Sequence, residues 1–305
     1  MQTDDRGVSL WCEETEEDYQ SQSTKRASES RGLGVPLRAA WDPSVSGRRV
    51  IQRLLHVEER YAPTQLYVTL IQQEPERREE LAKWTLEVCY DCGCDEAVFP
   101  LSVSLMDRFL SATLSTPASP YCLAAACMLI ASKLSECENI TSDALCAAAE
   151  YNFLPANLRE MERVVLATLR WDTAAVTPQD FLPHFLASLE ERSGQDSATL
   201  RRHSDTLAAM CACDSRFLGA PPSLVAAASL NCAMRGLGHR GRSRLHLLSL
   251  TLAELCQADL VVLQYYSEMI ERTLRQRLSS GPADKGDELE DERAGTPTDM
   301  REIDF

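Results

Sequence analysis

Pro120-Tyr-Cys-Leu-Ala-Ala-Ala-Cys-Met-Leu-Ile-Ala-Ser-Lys-Leu-Ser-Glu136 is the stretch around which this chain is organised. Every residue from Tyr121 to Ala131 is apolar, so a helix here leaves no face for water and must be buried all round. Eleven such residues fall short of the roughly 20 that cross a bilayer, so the stretch is expected to be a core helix. Ala124, Ala125, Ala126 and Ala131 let neighbours approach closely, while Leu123, Met128 and Leu129 fill volume. Lys133 arrives where the last helical carbonyls are unpaired, a position that favours a cation.

A central helix needs others around it, and the flanking sequence supplies them. Val50, Leu54, Val57 and Tyr61 recur at helical spacing. Pro75 opens a second helix, with Leu81, Trp84, Thr85 and Val88 on one stripe and Gly93 at its end. A third is expected from about Ala97 to Ala112. After the buried stretch, Thr141 caps a short helix and Pro155 opens another. Thr177-Pro178-Gln179-Asp180 carries a Thr cap, a proline in the first turn and an acid three residues on. The helix it starts is expected to kink at Pro183, which lacks a backbone donor. Further helices follow around Leu200–Cys211, Leu224–Met234, Leu245–Cys256 and Leu260–Leu278. No stretch alternates with period 2. The pattern is therefore all-α: one leading helix, then two sets of five. In each set the third helix is the apolar, small-residue one, so two related bundles are expected, meeting near Asp172–Thr177.

The net charge of −15 argues against nucleic acid, which attracts basic surfaces. Residues 1–42 hold nine acids and five bases, and residues 279–305 nine acids and three bases, so these ends carry −10 of that charge. Residues 1–42 lack periodicity and read as a disordered arm. The opening Met-Gln-Thr-Asp-Asp-Arg does not read as a signal peptide, and no segment is expected to span a membrane. The twelve cysteines fall mostly at apolar helical positions such as Cys127, Cys146, Cys211 and Cys232. There a thiol acts as a small hydrophobe in a reducing compartment.

Several motifs resemble those of the D-type cyclins: Trp84-Thr-Leu-Glu-Val-Cys89, Met106-Asp-Arg-Phe-Leu110, Ala131-Ser-Lys133, Leu169-Arg-Trp171 with Ala174-Ala-Val-Thr-Pro178, and Thr296-Pro-Thr-Asp-Met-Arg-Glu-Ile-Asp-Phe305. The resemblance implies two tandem five-helix cyclin boxes with an extra N-terminal helix and disordered tails. On that division residues 1–42 are an arm, 43–176 the first box with its leading helix, 177–278 the second box, and 279–305 an acidic tail. The family has no catalysis of its own. It binds and activates a cyclin-dependent kinase in the nucleus and cytoplasm, promoting the G1/S transition.

Lys133 and Glu162 look like the cyclin-box pair that grips the kinase. On residue chemistry alone, a helix-end cation and a solvated carboxylate are the simpler account; the resemblance gives them a role. Leu10-Trp-Cys-Glu-Glu14 fits the Leu-x-Cys-x-Glu motif that binds retinoblastoma-type pocket proteins. An extended strand puts Leu10, Cys12 and Glu14 on one side. Leu81 and Trp84 match a substrate-docking patch, or are plain core. Arg77 and Glu80 replace apolar residues of that patch, which leaves docking of Arg-x-Leu substrates and kinase-inhibitor proteins open. Thr296-Pro297 resembles the family's phosphorylation site.

Cys89, Cys92 and Cys94 cluster, but structural zinc needs four ligands at paired spacing, so neither metal nor cofactor is expected. No nucleophile or phosphate-binding motif is present, and an enzyme is the least favoured reading. The competing class is a kinase-independent transcription adaptor built on the same two-box helical fold.

Overall fold

The computed structural model describes residues 47–135, 140–190, 197–237 and 242–280. Among these, twelve α-helices and two short 3-10 turns occur and no strand. The first two helices, α1 (Arg48–Glu58) and α2 (Gln65–Gln73), lead in. The first bundle is α3 (Glu76–Asp91), α4 (Val98–Thr113), α5 (Pro120–Leu134), α6 (Ser142–Ala148) and α7 (Pro155–Thr168). The second is α8 (Pro178–Glu190), α9 (Ser197–Ala212), α10 (Pro222–Gly236), α11 (Arg242–Leu255) and α12 (Leu260–Ser280).

Each bundle is built around its third helix. Pro120 opens α5, its fixed φ suiting the first turn. Every residue from Cys122 to Ser132 is buried, against α3, α4 and α7. Pro222 opens α10 in the same way, and Ser223 to Met234 are all buried among α8, α9, α11 and α12. The short side chains let the axes come close, as ridge-into-groove packing requires.

Caps fall where the sequence indicates. The Thr141 hydroxyl accepts from the Ala144 amide at 3.1 Å. Asp180 Oδ2 accepts from the Thr177 amide at 2.7 Å and its hydroxyl at 2.9 Å, the carboxylate half of a capping box. Gly93, at φ +60°, ends α3, and the Cys94 amide reaches back to the Cys89 carbonyl at 2.9 Å. Helix α8 is not broken at Pro183. It carries Phe181 and Phe185, fully buried and stacked with centroids 5.6 Å apart.

The leading segment differs from expectation. The spacing from Val50 to Tyr61 reads as one helix. The chain instead leaves α1 at Glu58, makes a 3-10 turn over Glu59–Tyr61, and restarts as α2 beyond Pro63. Pro63 disfavours α conformation in the residue before it. The Thr64 hydroxyl then caps the new helix, accepting from the Tyr67 amide at 3.4 Å. Helix α1 also serves the second bundle: Ile51, 1% exposed, lies in the core with Phe181, Leu182 and Leu230.

Polar contacts tie α1 to the second bundle and the two bundles to each other. Glu58 accepts from the Ser223 amide at 2.9 Å and hydroxyl at 2.8 Å, at the start of α10. Burial pushes the Glu58 carboxyl up, while the Ser223 bonds oppose the shift. Glu79 accepts from the Ser215 amide at 3.0 Å, and Arg201 pairs with Glu96 at 2.6 Å. Burial pushes the Cys122 and Cys213 thiols up to about 11 and Cys256 up to about 12, so they stay protonated and pack as hydrophobes.

Candidate partner-binding site

Lys133 stands in the last turn of α5, whose end is closed by the Ser135 amide on the Ala131 carbonyl at 3.0 Å. The unpaired carbonyls of that turn favour a cation there. Glu162 stands midway along α7, which packs beside α5. The two side chains meet: Lys133 Nζ donates to Glu162 Oε1. The Lys133 side chain is 58% exposed and that of Glu162 15%. Both thus sit on one rim of the first bundle, and Glu162 is held by the lysine with one edge still open to water.

Both ends of α7 present large side chains to solvent. Tyr151 and Leu154, just before it, are 70% and 61% exposed, and Trp171, just after, is 73% exposed. The backbone there is unusual. Glu150 and Tyr151 have φ of 50° and 57°, and Arg170 and Trp171 have 54° and 60°, the left-handed region that bulky residues avoid. The same device imposes both turns: the Tyr151 amide bonds the Cys146 carbonyl at 2.7 Å, and the Trp171 amide the Leu166 carbonyl at 2.8 Å. Exposed Trp and Tyr on such fixed turns are the residue types that dominate protein interfaces. The sequence quotes Trp171 only as part of a family motif and leaves Tyr151 and Leu154 unremarked. Their signal, a large apolar residue just beyond a helix end, is too common to single them out.

Leu81 is 5% exposed and lies in the first core, so it has little surface to offer a docking peptide. Trp84 is half-buried, edge-on to Tyr121 with centroids 5.2 Å apart, and its Nε1 donates to the Ala148 carbonyl at 3.4 Å. The Tyr121 hydroxyl donates to Glu80 Oε1 at 2.5 Å. Glu80, standing where an apolar patch would continue, is thus engaged by an aromatic ring packed on Trp84. That hydrogen bond, with burial adding to it, raises the Tyr121 pKa. Leu10, Cys12, Glu14 and Thr296 lie outside the described residues. Among the described residues no three His, Cys, Asp or Glu side chains are grouped to hold a metal ion, and no single helix is long and apolar enough to cross a membrane.

Comparison with known proteins bears on the whole two-bundle body. The cyclin N-terminal domain family matches residues 49–174 and the cyclin C-terminal domain family residues 176–283. G1/S-specific cyclin-D1 of Danio rerio is 37% identical over 276 residues, which span 87% of this chain and 94% of that protein. G1/S-specific cyclin-D3 of Homo sapiens is 38% identical over 279 residues, 87% of this chain and 95% of that one. Among solved structures, a viral cyclin from herpesvirus saimiri has the same fold, with a TM-score of 0.62 at 24% identity over 75% of this chain and 97% of its own. With both domains matched and relatives aligned along most of its length, the chain belongs to the cyclin family, in its D-type branch, whose members regulate kinases and are not themselves enzymes.

Proposed function

We propose that this chain binds and activates a cyclin-dependent serine/threonine kinase, and that the complex phosphorylates retinoblastoma-type proteins to promote the G1/S transition. The observation that carries the reading is the Lys133–Glu162 pair on the exposed rim of the first bundle. A protein kinase is active only when the glutamate of its mobile C-helix reaches the strand lysine. A rigid body that holds this helix inward favours the active state by its differential affinity for it. Lys133 supplies a donor and Glu162 an acceptor for main-chain groups of the kinase. The pair joins a largely exposed ammonium to a carboxylate only 15% exposed, so separating the two is offset when the kinase gives Glu162 a donor in place of the lysine. Each hydrogen bond to a charged group contributes about 1.5–3 kcal/mol, so the exchange favours the complex. Tyr151, Leu154 and Trp171 supply apolar anchors from the ends of α7.

In this reading Leu10, Cys12 and Glu14 add substrate capture by gripping the retinoblastoma pocket. Thr296, once phosphorylated, gains about two negative charges and becomes a ligand for an Arg-lined receptor that controls export from the nucleus and turnover. The test is co-purification of the full chain with a cyclin-dependent kinase and phosphate transfer to a retinoblastoma fragment. Capture of an active kinase is expected; a folded chain that recovers none, from lysate or from purified kinases, overturns the reading.

A further inference from the structure

Ser/Thr-Pro dipeptides occur in this chain at Thr116, Ser119, Thr177 and Thr296. Proline after a hydroxyl residue is a feature that a kinase can select. It lacks an N–H, so a cleft that offers no acceptor at that position rejects every other residue by burying its amide unmade. Thr296 lies outside the described residues. The structure separates the other three.

Thr177 is 9% exposed, and its hydroxyl already donates to Asp180 at 2.9 Å. Ser119 caps the start of α5, and its carbonyl accepts from the Leu123 amide at 3.3 Å. The residues after it, Pro120, Tyr121 and Cys122, are the first turn of α5, and Cys122 is 2% exposed. A kinase could take Ser119 only by unwinding that turn and baring the core. Thr116 meets neither obstacle. Leu114, left-handed at φ 49°, closes α4 with its amide on the Leu110 carbonyl at 2.8 Å. From Leu114 to Ser119 the chain lies outside any helix, and Leu114, Ser115, Thr116 and Ala118 are all exposed. Pro117 and Pro120 each disfavour helical conformation in the residue before, and Ser119 is extended, with φ −121° and ψ 90°. No charged residue stands between Arg108 and Lys133, so this segment suits a kinase that reads proline and not one that reads basic side chains.

We propose that Thr116 is a phosphorylation site for proline-directed serine/threonine kinases. Its Oγ1 attacks the γ-phosphorus of ATP, the bond from that phosphorus to the bridging oxygen breaks, ADP leaves with the electron pair, and the hydroxyl proton passes to the kinase's catalytic aspartate. The product sets about two negative charges in a stretch that otherwise has none, which makes it a ligand for an Arg-lined receptor. Helix α5 has 15 residues and spans about 22 Å. The mark therefore sits at the end of α5 opposite Lys133, and it holds whether or not the chain activates a kinase.

The test incubates the full chain with ATP and, separately, a purified mitogen-activated protein kinase, a cyclin-dependent kinase already assembled with its own cyclin, and the protein kinase A catalytic subunit, which reads basic residues. Trypsin releases residues 109–133 as one peptide holding both Thr116 and Ser119, and fragmentation in the mass spectrometer locates the phosphate. At least one proline-directed kinase is expected to phosphorylate Thr116 and leave Ser119 and Thr177 bare, while protein kinase A leaves this peptide unmodified. Pro117→Ala is expected to slow the transfer about tenfold or more, the rate equivalent of one buried, unmade amide. Thr116→Val is expected to abolish it with the helical circular dichroism retained, since the residue is exposed. The same phosphopeptide is expected in chain recovered from dividing cells under phosphatase inhibition. No phosphate on Thr116 of the folded chain from either proline-directed kinase, phosphate on Ser119 in its place, equal rates for Pro117→Ala, or a bare peptide from cells overturns the proposal.

Discussion

The last turn of α5 and the last turn of α10 are the same device used in two ways. Counted from the opening proline, Lys133 and Arg235 are both the fourteenth residue of their helix. Each reaches a carboxylate on the fifth helix of its bundle, Glu162 on α7 and Glu271 on α12. In the second bundle the arrangement closes on itself. Glu271 is 7% exposed and has Arg235 at 2.8 Å and Arg275 at 3.3 Å, so two guanidinium groups share one buried carboxylate. In the first bundle a single, largely exposed lysine meets a carboxylate that is 15% exposed. Arg235 and Arg275 hold a helix end in place, whereas the Lys133 end of its pair stays open to solvent. One architecture thus supplies a brace in one bundle and, on the function proposed above, a grip in the other.

Reversing the charge at each position separates the two roles. Lys133→Glu removes the donor and sets two carboxylates against each other at the rim. It is expected to weaken kinase capture roughly 10²- to 10³-fold while the urea midpoint moves less than for Arg235→Glu, since a glutamate at the largely exposed position 133 can turn to solvent. Arg235→Glu is expected to do the reverse: a loss of about 2 kcal/mol in urea unfolding, because Glu271 keeps Arg275 but gains a neighbour of like charge, with kinase capture intact. Equal effects of the two variants on capture would end the distinction between grip and brace.

The central helices differ again at their tenth residue, Leu129 in α5 and Asn231 in α10. Asn231 donates to Ser267 Oγ at 3.0 Å and accepts from Ser249 Oγ at 2.7 Å, joining α10 to α11 and α12. Ser267 also donates to the Leu263 carbonyl of its own helix, and the single Ser249 proton is shared between Asn231 Oδ1 and the Leu245 carbonyl at 2.9 Å. Leu129→Ala leaves an apolar void and is expected to cost about 3 kcal/mol. Asn231→Ala is expected to cost about 2 kcal/mol, because each serine keeps its local partner. Equilibrium unfolding of the two variants, read by circular dichroism, checks the order.

These differences explain what could be read from sequence and what could not. Helix α5 is visible because its unbroken apolar run admits no other solution, and α10 because its opening proline and small apolar residues repeat that pattern around Ser229 and Asn231. Caps such as Thr141 and Thr177 were visible because their partners lie three residues away. The split between α1 and α2 was missed because Tyr61 continues the spacing of Val57, so the periodicity masks the stop at Pro63. Lys133 and Glu162 are 29 residues apart, and only the packing of α5 beside α7 brings them together. The contact of Glu58 with Ser223 spans 165 residues and follows from how α1 packs on the second bundle, which no local pattern encodes. Tyr151 and Trp171 share the difficulty: their exposure depends on left-handed turns that glycine usually marks, and here no glycine stands there.

The second helix of each bundle carries a buried aspartate, and these two differ in how well they are answered. Asp107 on α4 takes two bonds from Arg78 and a third from the Tyr67 hydroxyl at 2.9 Å. Among the described residues, Asp205 on α9 has a single long bond, from Arg201 at 3.4 Å, and its Oδ1 is buried without a partner. Burial pushes the Asp205 carboxyl up to about 7; Arg201 opposes the rise and Glu96 adds to it. Its proton is therefore held more tightly in the folded chain than in the unfolded one. The stability tied to this group is fully present below the unfolded value of about 4 and is lost as pH rises through about 7. Asp205→Asn removes that dependence by fixing a neutral side chain. It is expected to raise stability at pH 8 by about 1 kcal/mol and to give a smaller gain at pH 5. Urea midpoints of the two chains at both pH values read the effect. Glu58, whose carboxyl is also pushed up, is present in both chains and cancels in the difference. A gain independent of pH would mean that Asp205 is as well answered in its bundle as Asp107 is in the other.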